Sequence, residues 1–224
     1  MSTSVVLFHT SGSTNIKAGE FDRSSAYYIM KQETTFLELI ATHCGQIVEK
    51  VLEGMRANRY KVGSGKIPIP TTPVLYSWWF PESFMNDVLV PYAKKYPSLQ
   101  TLLREVDTMK IDEKTYYALY FGKSVNGYHR FCQHATGNIH ISTLRRTLYG
   151  LVYDHIYNKE KEKNITAMLR ECYYEWYEFK SEGELIECIE AICIALGKYP
   201  LNIEGNPAIS EDWCKFLMNE RTIK

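Results

Sequence analysis

The sequence has no long apolar run. The longest, such as Ala191 to Leu196, are about a third of the ~20 residues that cross a bilayer, so no membrane span and no membrane partner are expected. Met1 to Phe8 lacks a basic segment ahead of its four apolar residues and then turns polar, unlike a secretory signal, and an intracellular chain is expected. Cysteine is sparse and unpaired in spacing. Cys44, Cys132, Cys172, Cys188, Cys193 and Cys214 read as reduced thiols and not as a disulfide framework. No repeat or low-complexity tract is present, and Lys plus Arg equal Asp plus Glu, leaving no net charge to mark a partner.

Familiar catalytic patterns are missing as well. Gly63-Ser-Gly-Lys66 has the ring of a phosphate loop, but the glycine that should stand six residues before the lysine is Tyr60 and the hydroxyl that should follow it is Ile67. His129, Cys132, His134 and His140 carry zinc-binding atoms at a spacing that matches no common structural site. Cys188 and Cys193 read as core residues on one helix, and Glu182 and Glu184 as helix-start charges. The expectation is a chain with no catalytic residue, no metal ligand and no cofactor, and therefore not an enzyme.

What is present is aromatic and unevenly charged. Seventeen Tyr and four Trp suit interfaces and base-stacking surfaces as well as cores. Residues 51–150 hold thirteen Lys and Arg against seven acids, whereas residues 151–224 hold nine against fourteen. In and beside the basic middle the cations fall in three groups, two of which include tyrosine. Lys50, Arg56, Arg59, Tyr60, Lys61 and Lys66 form the first; Lys123, Tyr128 and Arg130, with His129, the second; Arg145 and Arg146 the third. Arg and Lys bind phosphates without sequence preference and Tyr offers a face to unpaired bases, which points to single-stranded nucleic acid.

Periodicity predicts helices from about Asp22, over Thr35 to Ala57, near Glu82–Val90 and Ser98–Met109, over Asp112–Phe121, Ser142–Asn158 and Ile165–Lys180, through Leu196 from a capping box at Ser181, and at the C-terminus around Trp213. Ser4 to Phe8 is β-prone, Tyr60 to Pro70 reads as a hairpin, Val74 to Pro81 as a strand or buried turn, and Lys123 to Ile139 as a loop. The fold class expected is mainly α.

Several short stretches resemble the nucleoproteins of bunyavirus-order viruses, particularly the orthobunyavirus and related insect-virus branch. They are the run ending Phe8-His9, Phe21-Asp22 with Ala26-Tyr27, the stretch ending Phe80-Pro81, Tyr117-Ala-Leu-Tyr-Phe-Gly122, and Leu144-Arg-Arg-Thr-Leu-Tyr-Gly150. Two departures stand out: Glu82 to Asn86 replaces a Gly/Asn-rich loop, and the chain is neutral where such proteins tend to be basic. The resemblance implies a two-lobed helical core with a small β-hairpin, an N-terminal arm over 1–20, lobes over 21–122 and 123–198, and a C-terminal arm over 199–224. It implies an RNA-packaging nucleoprotein that holds single-stranded RNA between the lobes and joins its own copies through the arms, with the viral polymerase as a further partner. Host cytoplasm and virion are the implied locations. Two other classes stay open: a protein-interaction module without nucleic-acid binding, and a Cys132- or His-dependent enzyme.

Overall fold

In the computed structural model, residues 42–180 and 184–223 are described. The chain divides into residues 1–43 and 44–224, and everything below belongs to the second part. The expected β-prone start, N-terminal arm, first helix and Ser181 capping box lie outside the described residues.

A five-stranded antiparallel sheet organises this part, in the order β1-β5-β2-β4-β3. Its strands are β1 (Arg59–Lys61), β2 (Val74–Pro81), β3 (Thr108–Ile111), β4 (Lys114–Ser124) and β5 (Tyr173–Glu178). Both faces are covered. Along β2, Val74, Tyr76, Trp78 and Phe80 enter one core, while Leu75 and Trp79 enter a second on the other face, as the two-residue period of a strand dictates. On the second face lie α1 (helical over residues 44–57), with Val48, Val51 and Met55, and α8 (Glu184–Gly197), with Ile186, Ile189 and Cys193. On the first lie α2 (Glu82–Phe84), which runs through a π-helical turn at Met85–Leu89 into α3 (Val90–Ala93), then α4 (Pro97–Glu105), α5 (Gly127–Ala135), α6 (Thr143–Val152), α7 (Lys159–Arg170) and α9 (Glu211–Glu220). The C-terminal helix, read from sequence as part of an arm, places Trp213 and Leu217 in this core, and the Trp213 indole donates to the Pro200 carbonyl at 3.0 Å.

This is an α/β fold, so the mainly-α expectation is corrected. Two expected helices supply the strands that overturn it. Asp112 and Glu113 both take left-handed backbone (φ 48° and 63°), the geometry of a tight two-residue hairpin turn, and so join β3 to β4 where a helix was expected over Asp112–Phe121. Beyond Arg170 the aromatic run Tyr173-Tyr-Glu-Trp-Tyr alternates between faces and pairs as β5 between β1 and β2. The expected loop at Lys123–Ile139 contains α5. The Tyr60 hairpin is instead a strand that pairs with β5, more than a hundred residues away in sequence.

Candidate functional site

A cavity of about 390 Å³ opens where β2 and β4 meet α5, α8 and the end of α9. In register, Tyr76 lies opposite Gly122 and Trp78 opposite Tyr120, so both tyrosines leave the same sheet face two residues apart. A Cβ at Gly122 would lie 2.7 Å from the Tyr76 hydroxyl oxygen; glycine there is what lets that hydroxyl sit against β4.

The chain then turns from strand to helix within a few residues. Ser124 bonds to the Asn126 backbone, and Asn126 caps α5 by accepting from the His129 N–H at 2.8 Å. Gly127 starts the helix with its Cα packed against the Pro70 carbonyl and Val74, leaving no room for a side chain. With α5 fixed at its first residue, Arg130 and His134, four apart, share one face. His134 is buried between two hydroxyls: Nε2 lies 2.9 Å from Tyr76 Oη and Nδ1 lies 2.7 Å from Ser142 Oγ. Burial, with Arg130 and Arg145 nearby, pushes its pKa down to about 3, so the imidazole is neutral at physiological pH and works as a hydrogen-bonding post. In the tautomer whose Nδ1–H donates to Ser142, Tyr76 donates to Nε2 and keeps its lone pairs for the cavity.

Arg130 lines the cavity, and its guanidinium forms no hydrogen bond or ion pair among the described residues, with Nε buried and unpartnered. The opposite charge comes from α8. Glu190 lines the same cavity with its carboxyl raised by burial, an effect opposed by Lys123, whose Nζ lies 3.4 Å away and also binds Glu187 at 2.7 Å. After α8 the chain reverses at Lys198 (φ 53°) and lies along the part of β4 that β3 leaves uncovered. The Leu201 N–H donates to the Leu119 carbonyl at 3.0 Å. The Asn202 amide takes both backbone groups of Phe121, each at 2.8 Å, so it acts as a one-residue strand beside Tyr120. Burial raises the Tyr120 hydroxyl's pKa, while Arg221 and Arg130 pull it back.

Of the residues expected to contact RNA, Lys123 and Arg130 line this cavity and the others lie elsewhere. Arg59 is held across β1 and β5 by Glu175 at 2.7 Å, over the Trp79 ring. Lys61 pairs with Glu171, Tyr60 stacks on Trp176, and Lys50, Arg56, Lys66 and Tyr128 are exposed. Arg145 is fully buried, its terminal nitrogens on the carbonyls of His134, Ala135 and Glu162 and on Thr166 Oγ1. Arg146 bonds the carbonyls of Ile139 and His140. His129 is exposed while His134 turns inward, so the histidine and cysteine group does not converge as a zinc site would. Sequence reasoning missed Tyr76, Tyr120, Glu190 and Asn202, and weighed His134 only as a metal ligand. The usable signal was Tyr120-Phe-Gly followed by an Asn helix cap and an Arg and His four apart, a strand–turn–helix with every polar group on one side.

The cavity thus brings together two tyrosines, an unpaired arginine and a half-buried carboxyl. Comparison with protein families matches residues 74–223 to the GIY-YIG catalytic domain, and the chain belongs to that family. Tyr120-Phe121-Gly122 has the form of the second tripeptide in the family's name, and Val74-Leu75-Tyr76, at the start of the match, keeps the tyrosine of the first. No curated protein matches the chain, and no solved structure does. The domain is nuclease-type and catalytic, which corrects four expectations: the bunyavirus nucleoprotein resemblance, genome encapsidation in a viral ribonucleoprotein, the non-enzyme reading, and the Cys132/His enzyme alternative. Phe80-Pro81 and Tyr117–Gly122, which carried the resemblance, are parts of β2 and β4 of the catalytic sheet.

Proposed function

We propose that this chain is a nuclease that hydrolyses a phosphodiester bond in the cavity between β4, α5 and α8. The observation that carries the reading is the Arg130 guanidinium, unbonded in a cavity it shares with Glu190 and the hydroxyls of Tyr76 and Tyr120. A permanently charged, planar fork suits a phosphodiester, which keeps one negative charge and gains more as its phosphorus becomes five-coordinate. The Tyr76 hydroxyl, fixed by its hydrogen bond with His134, and the Tyr120 hydroxyl that lines the same cavity offer oxygens that orient an attacking water.

The donor set also fits a divalent cation. No three of His, Cys, Asp and Glu converge among the described residues, but magnesium is commonly held by one or two carboxylates together with substrate phosphate oxygens. Glu190 would hold it, and the ion when bound supplies Lewis-acid polarisation of the phosphate. Lys123 then serves Glu190 as its counter-charge while no cation is present.

The test is incubation of the purified chain and its Glu190→Gln variant with supercoiled plasmid, single-stranded DNA and single-stranded RNA, in magnesium or manganese. Wild type cleaves at least one substrate, and the variant is slower by roughly 10²-fold or more. Failure of wild type to cut any of them with either ion overturns the reading.

A further inference from the structure

The end of α9 brings a second guanidinium to the cavity, and the surrounding residues hold it there. Gly150 on α6 allows this: a Cβ at that position would lie 2.0 Å from the Glu220 carbonyl oxygen, so only glycine lets the last turn of α9 seat on α6. Arg221, the next residue, lines the cavity. Its Nε donates to Thr147 Oγ1 at 2.8 Å, Thr147 in turn donates to the Thr143 carbonyl at 2.9 Å, and Nη2 reaches the Leu201 carbonyl at 3.4 Å. Nη1 has no partner, and no carboxylate lies within ion-pair distance among the described residues.

A half-buried cation without an anion destabilises a fold, and the helix C-terminus beneath it offsets only part of that cost. Its charged neighbours sharpen the point. Arg146 adds positive charge, the exposed Glu204, which also lines the cavity, is the acid on that side without bonding Arg221, and Tyr120 is the hydroxyl nearby. Two oriented guanidiniums lining one cavity, each with free donors, form a site for an anion with more than one oxygen to offer.

We infer that Arg221 is a phosphate-binding residue of this site, holding the nucleic-acid backbone at the α9 wall while Arg130 holds it at the α5 wall. The inference rests on the nuclease reading and extends it to a residue outside the strand–turn–helix segment.

A tie between α6, α9 and the Leu201 loop would account for the same hydrogen bonds, so the test must read substrate and not fold. In the Glu190→Gln background, a short labelled oligonucleotide is titrated at several salt concentrations with and without Arg221→Gln. Loss of one phosphate contact weakens binding about tenfold and makes the log–log salt slope shallower by about 0.7 to 0.9. Should R221Q fold poorly, Arg221→Lys in the otherwise intact enzyme carries the test. It keeps the charge and loses the fork, so KM rises several-fold while kcat stays within about twofold. Binding and slope equal to the parent in R221Q, or an unchanged KM in R221K, overturns the inference while leaving wild-type cleavage intact. A wild type that neither binds nor cuts nucleic acid overturns both readings together.

Discussion

Two regions of this molecule gather arginine inside the protein, and they use it in opposite ways. At the junction of α5, α6 and α7, Arg145 is fully buried and gives four hydrogen bonds to three carbonyls and a hydroxyl. Two of those carbonyls, His134 and Ala135, stand at the α5 C-terminus, where the helix itself supplies no donor. In the cavity, Arg130 gives none and Arg221 gives two. The first region uses guanidinium donors to close a helix end; the second leaves them open. Both Nε atoms, of Arg130 and of Arg145, are buried and unpartnered, so the difference lies in the terminal nitrogens: those of Arg145 are bonded and tie the fold, and those of Arg130 stay open to a ligand.

The comparison breaks most visibly by substitution on each side. Arg130→Ala removes an unbonded group, so cleavage falls by roughly 10²–10³-fold while the melting temperature stays near wild type. Arg145→Ala leaves carbonyls buried without donors and costs about 3 kcal/mol or more of stability, read by urea denaturation, with cleavage per folded molecule far less affected than in Arg130→Ala. A reversed pattern would refute the division.

His134 ties the two regions together, since its ring meets Tyr76 and Ser142 while its backbone carbonyl accepts from Arg145. Its folded pKa of about 3 lies below the ordinary 6.5, so the unfolded chain binds the extra proton first as pH falls. Stability attributable to it is complete above pH 6.5 and declines toward pH 3 at up to about 1.4 kcal/mol per unit. Glu175 and Glu190, whose carboxyls burial raises, act in the opposite direction above their ordinary range. The readout is therefore the difference between wild type and His134→Gln across pH 7 to 4, and parallel profiles would remove the histidine from the account.

Gly122→Ala sets a new Cβ against Tyr76 Oη and forces that hydroxyl off its 2.9 Å contact with His134. Activity drops about tenfold or more, with a stability loss of roughly 1–3 kcal/mol. Asn202→Ala is the mildest change. It frees the Phe121 backbone beside Tyr120 and costs about 1–3 kcal/mol, with a smaller loss of rate than at Gly122.

Parts of this were legible in the sequence, and the physical reasons divide cleanly. The helices at residues 44–57, α6, α8 and α9 carry an apolar face at helical spacing, and their existence could be read directly. β4 could not, because Ala118, Leu119, Phe121 and Gly122 are buried on alternating faces and the segment shows no polar alternation. α5 is bounded by Gly127 and Gly137, which read as loop residues, although Gly127 opens the helix because Pro70 and Val74 leave no room for a Cβ. Attention to cations interleaved with tyrosine reached Lys123 and Arg130. Charge pattern alone could not separate them from Arg145, since what distinguishes them is whether carbonyls lie in reach. Glu190 and Asn202 belong to the site only because the chain folds back along β4 after α8, a contact without a local signature.

The most direct test of the central claim is single-turnover cleavage of an end-labelled nucleic acid by Arg130→Ala, with circular dichroism melting recorded on the same sample. The account predicts a rate at least about 100-fold below wild type on a protein that melts with it. Wild-type cleavage by that variant would contradict it.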